Sequence, residues 1–207
     1  MIVTHDARVV IRAPEKIPVK HLYDFALQKK SWIEQKQASA RENYKEVLPK
    51  TFTGGESLWF LGQLYTLRIA DEDETPIELT RERVIPRHQM PHARELLVEW
   101  YRKQASDTIR ERVEWYAQQS GFQYTSVRIT DAKKRWGSCG IKGRLNFSWR
   151  LIMAPLEMID YVVVHELVHV EERNHSPRFW SKVEKVLPDY KQRRKWLKEH
   201  DYLLVFT

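Results

Sequence analysis

Apolar and polar positions change their spacing several times along the 207-residue chain, and each change predicts an element. Arg8-Val9-Val10-Ile11-Arg12, closed by Pro14 and Pro18, reads as a strand. From Val19 to about Tyr44, Leu22, Phe25, Ala26 and Ile33 fall at helical spacing. Gly54-Gly55 marks a turn, and Ser57 to Ile69 reads as a hairpin turning at Gly62-Gln63. The acidic run Asp71-Glu72-Asp73-Glu74 reads as a loop and Ile77-Glu78-Leu79 as a returning strand. Pro86 and Pro91 bracket a linker over Val84 to Pro91.

A long helix follows, from Pro91 to about Gln119, stopped by Gly121. Leu96, Leu97, Trp100, Tyr101, Ile109, Val113, Trp115 and Tyr116 form its apolar face. Tyr124 to Ile129 alternates like a strand, and Trp136-Gly137-Ser138-Cys139-Gly140 reads as a compact turn. Gly143 to Arg150 alternates again, with Leu145, Phe147 and Trp149 opposite Asn146 and Ser148. Pro155 opens a helix that is apolar almost all round through Tyr161-Val162-Val163-Val164, so it is expected to be buried. Three shorter helical pieces complete the chain, the last near Lys191 to His200.

The buried helix carries His165-Glu166-Leu167-Val168-His169. Histidines at i and i+4 lie on one helix face, offset by only about 40°. Both imidazoles can therefore reach one metal ion, while Glu166 is rotated off that line and is free to hold a water beside it. This is the H-E-x-x-H pattern of zinc hydrolases. Asn174 suits a left-handed helix end, and Ser176-Pro177 reads as an N-cap followed by proline at the first helical position. The first helix is thus expected to stop near Arg173 and the next to start near Pro177. His175 falls in the corner between them as the third ligand. Three protein ligands and one open position make the catalytic form of zinc coordination.

Composition narrows the setting. Eight tryptophans and 12% aromatic residues argue against disorder. Cys139 is the single cysteine, so no intrachain disulfide forms. No apolar run approaches a membrane span, and Met1 to Asp6 lacks a secretory layout. A cytoplasmic location with no membrane partner is the default expectation. The net charge of +7 concentrates in residues 178–200, with a second basic cluster at Lys133-Lys134-Arg135.

From about Val127 to Lys198 the sequence resembles the YgjP-like family of zinc metallopeptidases, which is related to the SprT-type proteases. The matching stretches are Arg135-Trp136-Gly137-Ser138-Cys139, Leu145 to Leu151, Asp160 to His169, and Asn174 to Trp180. The resemblance implies zinc at His165, His169 and His175, with Glu166 as general base. Metzincin proteases share the third-histidine spacing but carry glycine where this chain has Glu172, and no methionine follows Met158. The metzincin assignment is therefore rejected.

The expected fold is α+β. A zincin-like catalytic lobe over residues 89–207 would pack a twisted, mainly antiparallel sheet on the zinc helix. A small β-rich lobe with one helix would occupy residues 1–88. The expected function is a zinc-dependent metallopeptidase, another divalent transition metal being the alternative ion, acting on a peptide or protein. The strand Gly143 to Arg150 would pair with an extended substrate, with Asn146 and Arg135 as candidate substrate contacts. Tyr161, Tyr190, Arg193 and His200 are candidates to steady the oxyanion, and Cys139 is a candidate extra ligand. One alternative is a nucleoside-triphosphate pyrophosphatase that clamps nucleotide phosphates with Lys133, Lys134, Arg135 and Arg150, although no glycine-rich phosphate loop is present. Another is a DNA-associated protease, or a non-catalytic zinc protein, that binds nucleic acid through the basic C-terminal helices.

Overall fold

The computed structural model describes residues 1–4, 7–42, 52–70 and 82–205. Contacts cluster into two units, Met1–Pro49 and Lys50–Thr207. The sequence reading divided the chain after residue 88 instead. The hairpin at residues 57–70 thus falls in the same unit as the histidine helix.

In the first unit, β1 (Ile2–Val3) pairs antiparallel with β2 (Val9–Val10). The helix expected from Val19 to Tyr44 is two helices, α1 (Val19–Gln28) and α2 (Lys30–Glu42), separated at Lys29. Gln37 Nε2 donates to the Ala7 carbonyl at 2.8 Å, tying α2 to the β1–β2 turn.

In the second unit, β3 (Ser57–Phe60) and β4 (Gln63–Ala70) form the expected hairpin. The chain at Val84–Pro86, expected as linker, belongs to a strand, β5 (Glu82–Pro86), parallel to β4. The expected acidic loop at 71–74 and strand at 77–79 lie outside the described residues. The hairpin tip is pinned to the histidine-bearing half. Leu61 and Gly62 donate their backbone N–H groups to the carbonyls of Ile152 and Met153 at 2.8 and 3.0 Å. Gly62 has a φ of +75°, and a Cβ there would meet Pro155 Cγ at 2.6 Å, so only glycine fits.

A 3₁₀ turn (Arg87–His92) that contains Pro91 leads into α3 (Ala93–Ser120). Gly121 closes α3 in the left-handed conformation, as its position predicted. One face of α3, including Tyr101, Ala105, Ile109 and Val113, is fully buried.

The third sheet has the order β6–β8–β7, from β6 (Ser126–Thr130), β7 (Gly137–Cys139) and β8 (Arg144–Ser148). Two expectations change here. The supposed compact turn at 136–140 contains strand β7, and the reversal lies at Gly140–Gly143. The sheet is also not mainly antiparallel: β7 pairs antiparallel with β8, but β6 pairs parallel with it. The chain passes the position of β8 before turning back through the β7–β8 hairpin, so β8 ends in the middle.

After a 3₁₀ turn (Trp149–Met153), Pro155 precedes α4 (Leu156–Val168). Helices α5 (Pro177–Val186) and α6 (Tyr190–Glu199) and a final 3₁₀ turn (Asp201–Val205) follow. Helix α4 is buried among α3, α5, α6 and β7, which explains its apolar circumference. No helix among the described residues is long and apolar enough to cross a membrane.

Candidate metal centre and active site

Helix α4 ends at Val168, before the expected stop near Arg173, and His169 is its C-cap. The chain then tightens: Val170, Glu171 and Glu172 donate N–H groups back to Leu167 and Val168 carbonyls. Ser176 caps α5 by accepting from the Phe179 N–H at 3.3 Å, with Pro177 at its first position. His175 is thereby fixed in the corner. Its Nε2 lies 3.1 Å from His169 Nε2 and 3.0 Å from His165 Nε2.

The donor atoms fit a metal ion. Two ligands of a tetrahedral zinc at about 2.0–2.1 Å stand about 3.3 Å apart, close to the spacing seen. His169 Nδ1 lies 2.9 Å from the Glu172 carbonyl, which can only accept. Nδ1 must therefore carry the proton, and the Nε2 lone pair is left free on the side that meets His175. Burial and the neighbouring histidines push the His165 pKa down to about 3, so that ring is neutral and can coordinate. Among the described residues, the groups that converge well enough to hold an ion are these three histidines.

Phe179, fully buried on α5, supports all three rings, with centroids 4.9, 4.5 and 4.8 Å from His165, His169 and His175. Trp180 stacks on His175 at 5.5 Å. Glu172 reaches Arg178 at 2.7 Å and Lys182 at 2.9 Å, closing the corner from outside. Arg173 donates to the Gly140 and Ile141 carbonyls at 2.9 and 2.6 Å, which ties the corner to the β7–β8 turn. The sequence reading gave none of these side chains a role at the site. A Phe-Trp pair one residue after the Ser-Pro helix start was the available signal.

Glu166 is 5% exposed, and its Oε2 has no hydrogen-bond partner among the described residues. Burial raises its pKa to about 8, against a smaller downward pull from Arg135. A nearby cation would favour the charged form. Strand β7 lies directly over this carboxyl: a Cβ on Gly137 would stand 2.8 Å from Glu166 Cγ and Oε1. Arg112 clamps the preceding turn of α4 through two contacts to Asp160, at 2.6 and 3.0 Å.

The other candidates separate clearly. Arg135 lines the cavity that contains His165 and Glu166, and so does Tyr161. Burial pushes the Tyr161 hydroxyl up to about 12. Asn146 is not in that lining, but it shares one neighbouring pocket with Arg135, Gly137 and Ser138 and lines another with Arg128 and Arg144. Tyr190 stacks on Trp180, Arg193 holds Asp189 and the Glu157 carbonyl, and His200 stacks on Trp196. Cys139 Sγ contacts the Gly140 carbonyl and Arg173, and it does not join the histidines. Arg150 does not reach the cavity as a phosphate clamp: it is 2% exposed and donates to Asp131 at 2.8 Å. In the basic C-terminal stretch, Arg178, Lys182, Lys191, Arg193 and Lys195 are paired with carboxylates.

No curated protein matches the chain. A solved structure titled "Crystal structure of the metallopeptidase zymogen of Pyrococcus abyssi abylysin" is 26% identical, with a TM-score of 0.40, covering 44% of this chain and 92% of that one. The family described as "YgjP-like, metallopeptidase domain" matches residues 1–200, a class of metal-dependent hydrolases. With nearly the whole chain matched, the protein belongs to the YgjP-like metallopeptidase family.

Proposed function

We propose that this protein is a zinc-dependent peptidase in which His165, His169 and His175 hold the ion and Glu166 is the general base. The observation that carries the reading is the approach of His175 Nε2 to within about one ligand spacing of both His165 and His169 Nε2, all three donors within 4.8 Å, next to a buried carboxyl with one oxygen unpartnered among the described residues. A divalent ion bound there supplies Lewis acidity and acidifies its bound water. Glu166 Oε2 accepts the proton of the attacking water and returns it to the leaving amine. The Tyr161 hydroxyl stays protonated at neutral pH and is the candidate of the four that can donate to the developing oxyanion from this cavity.

The substrate strand changes from the sequence reading. Strand β8 is paired on both sides, by β6 and β7, so it has no edge to offer. The outer strand next to Glu166 is β7, and an extended peptide would add there. Arg135 lines both the Glu166 cavity and the neighbouring pocket that Asn146 lines, so both stay candidate substrate contacts.

The test is turnover of a peptide mixture by the zinc-loaded protein and its Glu166→Gln variant. Loss of the base is expected to lower turnover by about 10²–10⁴-fold with metal content unchanged. Unchanged peptide turnover in the variant would remove Glu166 from the chemistry. Release of pyrophosphate from nucleotides, abolished by the same substitution, would favour the phosphoanhydride reading instead.

A further inference from the structure

Beside Glu166 the active site widens into a cavity of about 350 Å³, of whose lining the mechanism above uses only Tyr161, His165 and Glu166. Its inner surface includes Trp136, Tyr161 and Leu197. Its rim carries four cations: Lys134 and Arg135 from the segment entering β7, and Arg194 and Lys198 from α6. The two on α6 are four residues apart and share one helix face. Asp201 and Glu166 are the acids in the same lining.

These four cations differ from their neighbours. Lys191, Arg193 and Lys195 of α6 each pair with a carboxylate. Among the described residues, Lys134, Arg135, Arg194 and Lys198 pair with none. Arg194 is positioned by Trp180, its guanidinium 4.7 Å from that ring, and Trp180 itself stacks on His175. One cation is therefore set in place through the same side chain that braces the third histidine. Arg135 comes from the segment entering β7 and is close enough for its charge to be felt at Glu166.

We propose that this cavity is a specificity subsite for a substrate carboxylate located next to the cleaved bond, an inference that rests on the peptidase reading above. A carboxylate entering here meets guanidinium groups able to bind it in a bidentate manner. The methylenes of its stem pack on Trp136 and Leu197. A lysine in the same place meets four like charges. Both an acidic side chain and the C-terminal carboxylate of a short peptide have this chemistry.

Two matched peptide pairs separate these sources, using the zinc-loaded full chain. The first pair has blocked ends and differs by Glu or Gln beside the cleaved bond. The second has neutral side chains and a free or amidated C-terminus. The charged member of at least one pair is expected to show a kcat/KM about ten- to a hundredfold higher, carried mainly by KM. The pair that responds identifies the source. Arg194→Glu, and separately Lys198→Glu at an exposed position, are each expected to reduce that ratio substantially, both variants retaining cooperative melting. Equal cleavage within both pairs, or a ratio unaffected by either substitution, overturns the subsite and leaves the peptidase reading standing. Cleavage of no peptide at all overturns both.

Discussion

Replacing Gly137 with alanine puts a methyl group where the Glu166 side chain now lies. The added Cβ would stand 2.8 Å from both Cγ and Oε1 of Glu166 and 3.1 Å from Cδ. Ordinary contact begins near about 3.4 Å, so the carboxyl or the strand must move by about half an ångström, the range in which overpacking costs about 1–3 kcal/mol. Gly137 is not in the left-handed region, so alanine is permitted by the backbone and regains about 0.5–1 kcal/mol of chain entropy. The net loss is then about 0–2.5 kcal/mol, a fall in Tm of no more than about 10 °C. Catalysis is more sensitive, since a misplacement of about 1 Å costs up to about 10²-fold. The expected result is a kcat about 10- to 100-fold lower, with one bound metal retained. Gly140→Ala is the control, because its Cβ would meet the Arg144 carbonyl at an ordinary 3.5 Å. Steady-state peptide kinetics with metal analysis of both variants decide the matter. Native kcat in Gly137→Ala would refute the argument that β7 holds the general base in place.

Asp160→Ala removes the two contacts that fasten α4 to Arg112 and leaves a largely buried guanidinium without this partner. A loss of about 2–3 kcal/mol is expected, read as a Tm fall of about 4–12 °C, and a shift below about 1 °C would show the clamp to be idle. Dialysis against a chelator is expected to abolish turnover and lower Tm, and stoichiometric zinc to restore both, because a ligand bound at 100 times its Kd adds about 2.7 kcal/mol. Identical melting with and without the chelator would contradict a resident ion.

The parts of the site that could be read from sequence are those set by local geometry. The i, i+4 histidines share a helix face whatever the tertiary context. Ser176-Pro177 starts α5 through a cap four residues long, and Gly121 ends α3 through one left-handed residue. The parts that could not be read depend on contacts between distant residues. Strand β7 is three residues long and is defined by β8 alone, so its Trp-Gly-Ser-Cys-Gly surroundings look like a turn. The parallel pairing of β6 with β8 leaves no periodic trace, and it removes from β8 the edge that its alternation suggested. Arg112 and Asp160 are 48 residues apart. The position of Phe179 just inside the Ser176-Pro177 helix start does not reveal that all three imidazoles rest on it. In Met1–Pro49 the apolar spacing predicted helix correctly but ran through the break at Lys29, where neither proline nor glycine marks it.

The most direct test of the central claim is anomalous scattering at the zinc edge from crystals of the zinc-loaded protein. One peak is predicted, about 2.0–2.1 Å from Nε2 of His165, His169 and His175, with the Glu166 carboxylate outside bonding distance of the ion. A peak elsewhere, or one bonded directly to Glu166, would contradict the account.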